Sequence, residues 1–236
     1  MNILISALLL LACYCAQAKP LRIGMPLGKS TLTTNLQLQL TTAYQALELT
    51  PEFIALPSER RLRLLQNGEL DADLFRICDI ETQYNDLLII PVPLQHLTLN
   101  AYSLDPAKLV NWQQEPRYLI SHIRGFKMAE QQEFAGKRIS VNSDEQAFGL
   151  MLQGRADIVL EDSFTAETFL REHDVLTNIT QQEVQRFDVC HVLHNRWQHL
   201  LPPLTEQLTA IVADSLQYKT GQCPNADQLR NIFLIG

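Results

Sequence analysis

The sequence predicts an α/β protein of two lobes, each a mainly parallel sheet flanked by helices, with two crossings of the chain between the lobes. A helix–glycine–strand unit occurs twice, at residues 58–76 and 144–162. Strand and helix patterns alternate along the chain, which is typical of parallel sheets with right-handed crossovers. Two extended stretches, at 88–104 and 187–193, provide the outward and the return crossing.

The two copies of the unit have the same internal spacing. In each copy, apolar residues three to four positions apart form one helix face. A glycine then suits the left-handed residue just past the helix end, and an apolar run that reads as a buried strand follows. Helix–glycine–strand joints are common, so a chance match is the alternative. The aligned pairs are Leu62 with Phe148, Leu64 with Leu150, Leu65 with Met151, Gly68 with Gly154, and Asp71 with Asp157.

The predicted domains follow from these elements in chain order. Residues 19–98 form the first part of lobe 1, 99–188 form lobe 2, and 189–236 return to lobe 1. In lobe 1, the first strand, at 21–25, ends at a proline. The helix that follows carries Leu36, Leu40, Ala43 and Leu47 on one face. A second strand lies at 53–56, and Ser58 caps the helix after it. In lobe 2, strands are predicted at 118–123 and 137–141 and helices at 126–134 and 164–173. A further helix is predicted to begin near Pro203, and a short helix at 229–233 ends the chain pattern.

The amino-terminal 18 residues carry no charged side chain. An apolar run at 3–12, too short for a membrane span, is followed by Ala16-Gln17-Ala18, which has the form of a cleavage site. We therefore expect residues 1–18 to be a cleaved signal peptide, with a lipoprotein acylated at Cys13 as the alternative. The net charge of −7 argues against nucleic acid or an anionic membrane as partner.

The cysteines that remain are Cys78, Cys190 and Cys223, which permit one disulfide and one thiol, or three reduced thiols. The sequence leaves the pairing open. Cys190 and His191 would point to opposite faces of a strand, and His194 lies at the strand end, so we expect no metal site there. A nucleotide-binding glycine loop is also missing, and no cofactor is expected.

Several motifs carry a resemblance to a known family. They are residues 21–25, the run Arg60-x-Leu62-x-Leu64-Leu65-x-x-Gly68-x-x-Asp71, the pair Arg124-Gly125, and Gly154-Arg155-Ala156-Asp157 through Asp162-Ser163-x-x-Ala166. In order and spacing the chain resembles, over most of residues 19–215, the periplasmic solute-binding proteins of family 3, the polar amino-acid receptors of ABC transporters.

That resemblance implies a type II-like periplasmic-binding-protein fold, with this chain as a divergent member of the family. It implies a periplasmic, monomeric and non-catalytic protein that captures a small polar ligand, with a carboxylate or an amino-acid-like compound as one option. An inner-membrane permease or a membrane sensor would be its partner.

Candidate ligand-binding residues lie at strand ends and helix starts, where ligands gather in open α/β sheets. Arg76 closes a strand, and its guanidinium can bind a carboxylate through two hydrogen bonds, or pair with Asp79 or Glu81 on the surface. Arg60, at the start of the first motif helix, faces either the cleft or solvent. Asn142 and Ser143 lie at another helix start, where they add hydrogen bonds to a ligand or cap the helix.

The resemblance adds three candidates. Asp162 matches the family aspartate that holds a ligand amino group, with a helix cap as the alternative role. Arg124 and Gly125 match a turn whose backbone N–H groups meet an anion, although Phe126 follows where the family has Thr or Ser.

Two departures from the family bear on the ligand. Gly28-Lys29-Ser30-Thr31 replaces a glycine–aromatic–acidic run, and Ile77-Cys78-Asp79-Ile80 replaces a T-x-x-R element. A ligand-free interaction module on the same fold is therefore one alternative, and a dehydratase-like or glycan-cleaving enzyme is another. No nucleophile–base arrangement supports an enzyme, and we expect Glu161 and Asp162, as strand neighbours, to face opposite ways.

Overall fold

The structure is a computed structural model that describes residues 19–28, 30–80, 84, 86–173 and 179–219. The predicted signal peptide, Cys13, Cys223 and the helix expected at 229–233 lie outside these residues.

The first part of lobe 1 alternates strands and helices as the sequence predicts. Strand β1 pairs in parallel with both β2 and β3. Helix α1 starts where Ser30 and Thr33 exchange hydrogen bonds: Ser30 Oγ accepts from Thr33 N at 3.2 Å, and Thr33 Oγ1 accepts from Ser30 N at 2.9 Å. The elements are β1 (Leu21–Met25), α1 (Thr31–Gln45), β2 (Pro51–Ala55), α2 (Ser58–Gln66), β3 (Ala72–Ile77), β4 (Leu87–Ile89) and β5 (Gln95–Ser103).

Lobe 2 repeats this alternation. Its central strand β6 pairs in parallel with β7 and β8. Helix α3 is shorter than the helix predicted at 126–134, and Arg138 gives a physical reason. The guanidinium donates to the carbonyls of Gln132 and Ala129 (3.2 Å), and a helix through residue 134 would use the Ala129 carbonyl for its own backbone bond. The elements are β6 (Leu119–Ile123), α3 (Lys127–Glu130), β7 (Lys137–Val141), α4 (Asp144–Leu152), β8 (Ile158–Asp162) and α5 (Ser163–Glu172).

Two long antiparallel strands carry the chain between the lobes. Strand β9 (Thr180–His194) pairs with β5 from Gln95 to Ser103. The strands of the sheet lie in the order β2-β1-β3-β9-β5-β8-β6-β7, and β4 also pairs with β9. The predicted domain boundaries at 98/99 and 188/189 therefore fall inside β5 and β9. After a 3₁₀ segment (Asn195–Leu200), α6 (Leu201–Lys219) packs on lobe 1 through the buried Leu204 and Leu208.

The two helix–glycine–strand joints are the same construction in both lobes. Gly68 and Gly154 have φ values of +70° and +69°, the left-handed conformation that the sequence predicts. Asp71 Oδ2 accepts the N–H of Arg22 at 2.8 Å, and Asp157 Oδ2 accepts the N–H of Leu119 at 2.8 Å. Both aspartates thus fix the first residues of the neighbouring strand, and both belong to the scaffold.

The described residues form two hydrophobic cores, and the larger one extends from lobe 1 into lobe 2 through Ile120, Ile158 and Leu160. The larger core surrounds β1, β3 and the crossing strands, and the smaller one lies between α4, α5 and β8 around Phe148, Phe169 and Met151. Cys78 and Cys190 form a disulfide that joins β9 to the residue just after β3. This settles, for these two cysteines, the pairing that the sequence leaves open.

Candidate functional site: a cleft between the lobes

A cavity lies between the lobes, at the carboxyl ends of strands from both. Water-sized spheres can enter about 70 Å³ of it. At roughly 10–15 Å³ per water, this is room for about five to seven water molecules, so it suits a small solute. Its polar lining residues are Ser30, Thr33, Ser58 and Arg61 from lobe 1, and Asn142, Ser143, Asp144, Glu161, Asp162 and Thr165 from lobe 2.

The cationic wall of the cavity belongs to a buried charge cluster in lobe 1. Asp73 is fully buried and binds two arginines: Oδ1 accepts from Arg61 NH1 at 2.8 Å, and Oδ2 accepts from Arg76 Nε at 2.8 Å. Arg61 lines the cavity and is 4% exposed, and its Nε has no hydrogen-bond partner among the described residues. Burial lowers the pKa of Arg61 to about 10, against the Asp73 charge, so the guanidinium stays protonated at neutral pH.

The lobes touch directly beside this cluster. Ser58 Oγ donates to the carbonyl of Gly125 in lobe 2 at 2.8 Å, and Arg76 NH1 donates to the same carbonyl at 3.4 Å. A Cβ on Gly125 would lie 2.6 Å from the backbone nitrogen of Glu59, so only glycine allows this approach. Arg76 and Gly125 therefore connect the two lobes.

The opposite wall, in lobe 2, is acidic. Asp144, Glu161 and Asp162 line it, and Glu161 and Asp162 are buried. Burial raises the pKa of all three carboxyls. The neighbouring Glu145 adds to this effect and raises the pKa of Asp144 to about 6. The Asp162 charge likewise helps to raise the pKa of Glu161 well above its usual value. This wall therefore suits a positively charged group.

Asp162 has a structural role at the same place. Its Oδ1 caps α5 by accepting the N–H groups of Phe164 and Thr165, each at 3.0 Å. The expectation that Glu161 and Asp162 face opposite ways is wrong: both line the cavity, because β8 ends at Asp162 and the chain turns there into α5. Thus the aspartate faces the cleft and caps a helix.

The structure brings some of the predicted ligand-binding residues together and leaves others apart. Asp162, Asn142 and Ser143 line the cavity, whereas the side chains of Arg60 and Arg124 are exposed and do not line it. Ser143 also caps α4 by accepting from Gln146 N. The remaining two predicted residues are engaged by the chain itself: Arg76 by Asp73, Ser58 and Gly125, and the N–H of Gly125 by Glu130 Oε1 at 2.7 Å.

Sequence reasoning missed Arg61, Asp144 and Glu161. The signal for Arg61 was Asp73, a carboxylate inside a buried strand, which requires a cation nearby. Arg61 is the next residue to Arg60, and a step of one residue rotates a side chain by about 100° around a helix. The signal for Glu161 was its position at the end of an apolar strand, next to a predicted site residue.

Solved structures with a similar backbone supply the comparison. No protein-family model matches the chain, and no curated protein matches it in sequence. The GluR0 ligand-binding core in complex with L-glutamate aligns with a TM-score of 0.67 at 11% identity, over 86% of this chain and 96% of that one. The ancestral amino-acid-binding protein AncCDT-1, a precursor of cyclohexadienyl dehydratase, aligns at 0.66 and 17% identity, over 85% and 94%.

A third neighbour comes from a transporter. The amino-acid ABC transporter substrate-binding protein AbpA of Streptococcus pneumoniae, bound to L-arginine, aligns with a TM-score of 0.64 at 12% identity, over 86% of this chain and 90% of that one. The chain has the two-lobed fold of these binding proteins. The resemblance drawn from the sequence motifs is thereby confirmed at the level of the fold, and in a binding-protein fold the cleft between the lobes is the candidate site.

Two further observations concern the part of this binding-protein fold that the structure describes. No group of three or more His, Cys, Asp or Glu side chains there is arranged to hold a metal ion. Among the described helices, none has the length and apolar character needed to cross a membrane.

Proposed function

We propose that the protein captures a small polar solute between its lobes and passes it to an ABC-type transporter or reports it to a membrane sensor. The observation that carries this proposal is the small cavity with polar side chains from both lobes at the carboxyl ends of their strands. A ligand there contacts both lobes at once, which favours the closed arrangement of a hinged pair.

The ligand would bind through groups of opposite charge on the two walls. We assign hydrogen bonding to Asn142, Ser143 and Asp162 from lobe 2, and anion binding to Arg61 from lobe 1, which takes the role expected of Arg60 and Arg76. An amino-acid-like ligand, with one cationic and one anionic group, is the option that these walls accommodate. The structural neighbours include a complex with L-glutamate and a complex with L-arginine, which support this choice of ligand class.

Other parts of the proposal rest on the sequence. Secretion to the periplasm through residues 1–18 and a monomeric state remain proposals. The absence of catalysis is also a proposal, because one neighbour is described as the precursor of a dehydratase.

The test is a thermal-shift screen of the purified chain against amino acids, carboxylates and sugars. A bound ligand at 100 times its Kd stabilises the folded state by about 2.7 kcal/mol, which shifts the melting temperature measurably. We expect Asn142→Ala to weaken binding several-fold without changing the stability of the free protein, because Asn142 lines the cavity and is exposed. Asn35→Ala, on the exposed surface of α1 outside the cavity lining, is the matched control.

A ligand-free interaction module is the second candidate, and one observation favours it. The chain's own Ser58 and Arg76 already hold the carbonyl of Gly125, so the lobes meet without help from a solute. No shift with any solute in the screen would favour this module over capture, whereas turnover of a prephenate-like or glycan substrate by the pure protein would favour an enzyme.

A further inference from the structure

A buried carboxylate on the lobe 2 wall forms no ion pair with any of the described residues. Glu161 is 1% exposed and lines the cavity. Its Oε1 accepts the N–H of Asp162 at 3.0 Å, while Oε2 has no hydrogen-bond partner among the described residues. A buried carboxylate oxygen without a partner costs about 1–3 kcal/mol or more, so its retention next to a cavity calls for a partner that enters from outside.

The groups that face Glu161 are mostly anionic or neutral. Asp162 adjoins it on β8, Asp144 lies at the start of α4, and the phenol of Tyr102 on β5 senses its charge. The cation of the described lining residues is Arg61, on the opposite wall, and Asp73 shares its charge. The described lining of the cavity therefore has three acidic side chains, Asp144, Glu161 and Asp162, and one basic side chain, Arg61.

We propose that Glu161 is a specificity-determining residue: its free carboxylate oxygen binds an ammonium or guanidinium group of the ligand and releases a proton as that group enters. This inference rests on the proposed capture of a solute. Burial and the Asp162 charge raise the pKa of Glu161 well above its usual value, so in the free protein its carboxyl keeps a proton to higher pH than an exposed glutamic acid does. On binding, its O–H bond breaks, the proton leaves to the buffer, and the carboxylate pairs with the cation, so charge is conserved.

Asp162 is engaged by the chain more fully than Glu161. Asp162 Oδ1 already accepts two N–H groups of α5. A metal ion is not the expected cation, since no described group of three acidic or imidazole side chains could hold one. The pKa directions agree with the geometry, because burial and the Asp162 charge keep Glu161 protonated above its usual range.

The probes are L-arginine, its uncharged analogue L-citrulline, and putrescine, a diamine without a carboxylate. Calorimetry at pH 7 in phosphate and in Tris counts the protons released, because the two buffers take up protons with different heats. We expect L-arginine or putrescine to bind at least tenfold more tightly than L-citrulline, with proton release and an affinity that rises with pH.

Glu161→Gln keeps the shape and removes the charge. It is expected to reduce the preference for the cationic probe below threefold and to abolish the proton release, while the free protein stays folded and gains stability. Glu167→Gln, an exposed position on α5, is the matched control and should behave as the unmodified chain.

The outcomes separate the inference from the function on which it rests. If only L-citrulline or another neutral or acidic solute binds, or if Glu161→Gln keeps the full preference and the proton release, the role of Glu161 is refuted and capture stands. If no probe and no solute of the wider screen binds, capture is refuted and the inference with it.

Discussion

Removing the charge of Asp73 tests the arrangement that orders the lobe 1 wall. Arg61 and Arg76 each have about 5% of the side chain exposed, and each guanidinium contacts the Asp73 carboxylate at 2.7–2.8 Å. Asp73→Asn leaves both guanidinium groups buried and removes the negative charge that each contacts. Breaking a buried ion pair in this way costs about 3–5 kcal/mol, since an uncompensated charge stays buried. For a chain of 236 residues, about 2–4 °C per kcal/mol gives a fall in melting temperature of roughly 6–20 °C.

The assay is urea unfolding followed by circular dichroism, with calorimetric melting as a second measure. The matched control is Asp188→Asn, because Asp188 pairs with His96 on the surface, with side chains 49% and 77% exposed. An exposed pair is worth about 1 kcal/mol or less, so the control should unfold close to the unmodified chain. If Asp73→Asn lowers the unfolding free energy by less than about 1 kcal/mol, the cluster does not order the lobe 1 wall and our reasoning is refuted.

Three further predictions concern the joints and the buried histidine. Gly125→Ala should cost about 1–3 kcal/mol and enlarge the radius measured by X-ray scattering, because its Cβ would lie 2.6 Å from Glu59 N; an unchanged radius would contradict this. Replacing both Cys78 and Cys190 by serine should lower the unfolding free energy by about 2–5 kcal/mol, and equal urea midpoints would count against it. Burial lowers the pKa of His191 to about 4. The neutral imidazole therefore stabilises the folded state above pH 6.5, and the free energy of unfolding falls by about 3 kcal/mol as the pH drops from 6.5 towards 4. His191→Gln should flatten the stability curve in that range, and a curve of unchanged slope would contradict the assignment.

The sequence predicted the parts of the fold that depend on local rules. Gly68 and Gly154 end their helices in the left-handed conformation because few other residues adopt it without strain. The aligned aspartates, Asp71 and Asp157, make the same bond to the neighbouring strand, as two copies of one unit should. Strand and helix order followed from hydrophobic periodicity in the same way.

The site was harder to predict because it depends on contacts between distant segments. Arg76 was predicted to bind a ligand, and the structure places its guanidinium against Asp73, Ser58 and the carbonyl of Gly125 from the other lobe. Nothing within a few residues of Arg76 in sequence indicates the contact with Gly125. The choice between Arg60 and Arg61 likewise depends on where β3 places Asp73, which a helix pattern alone does not define.

The two copies of the helix–glycine–strand unit also differ where they line the cavity. Counted from the shared aspartates, Phe75 in lobe 1 corresponds to Glu161 in lobe 2, and both line the cavity. The next residues, Arg76 and Asp162, correspond as well; one connects the lobes and the other caps a helix. The scaffold residues are the same and the strand-end residues differ, so the end of β3 gives its wall the apolar Phe75 whereas the end of β8 gives its wall two carboxyls; the cation Arg61 comes from helix α2. A ligand with a cationic group should therefore bind in one orientation, with that group towards Glu161.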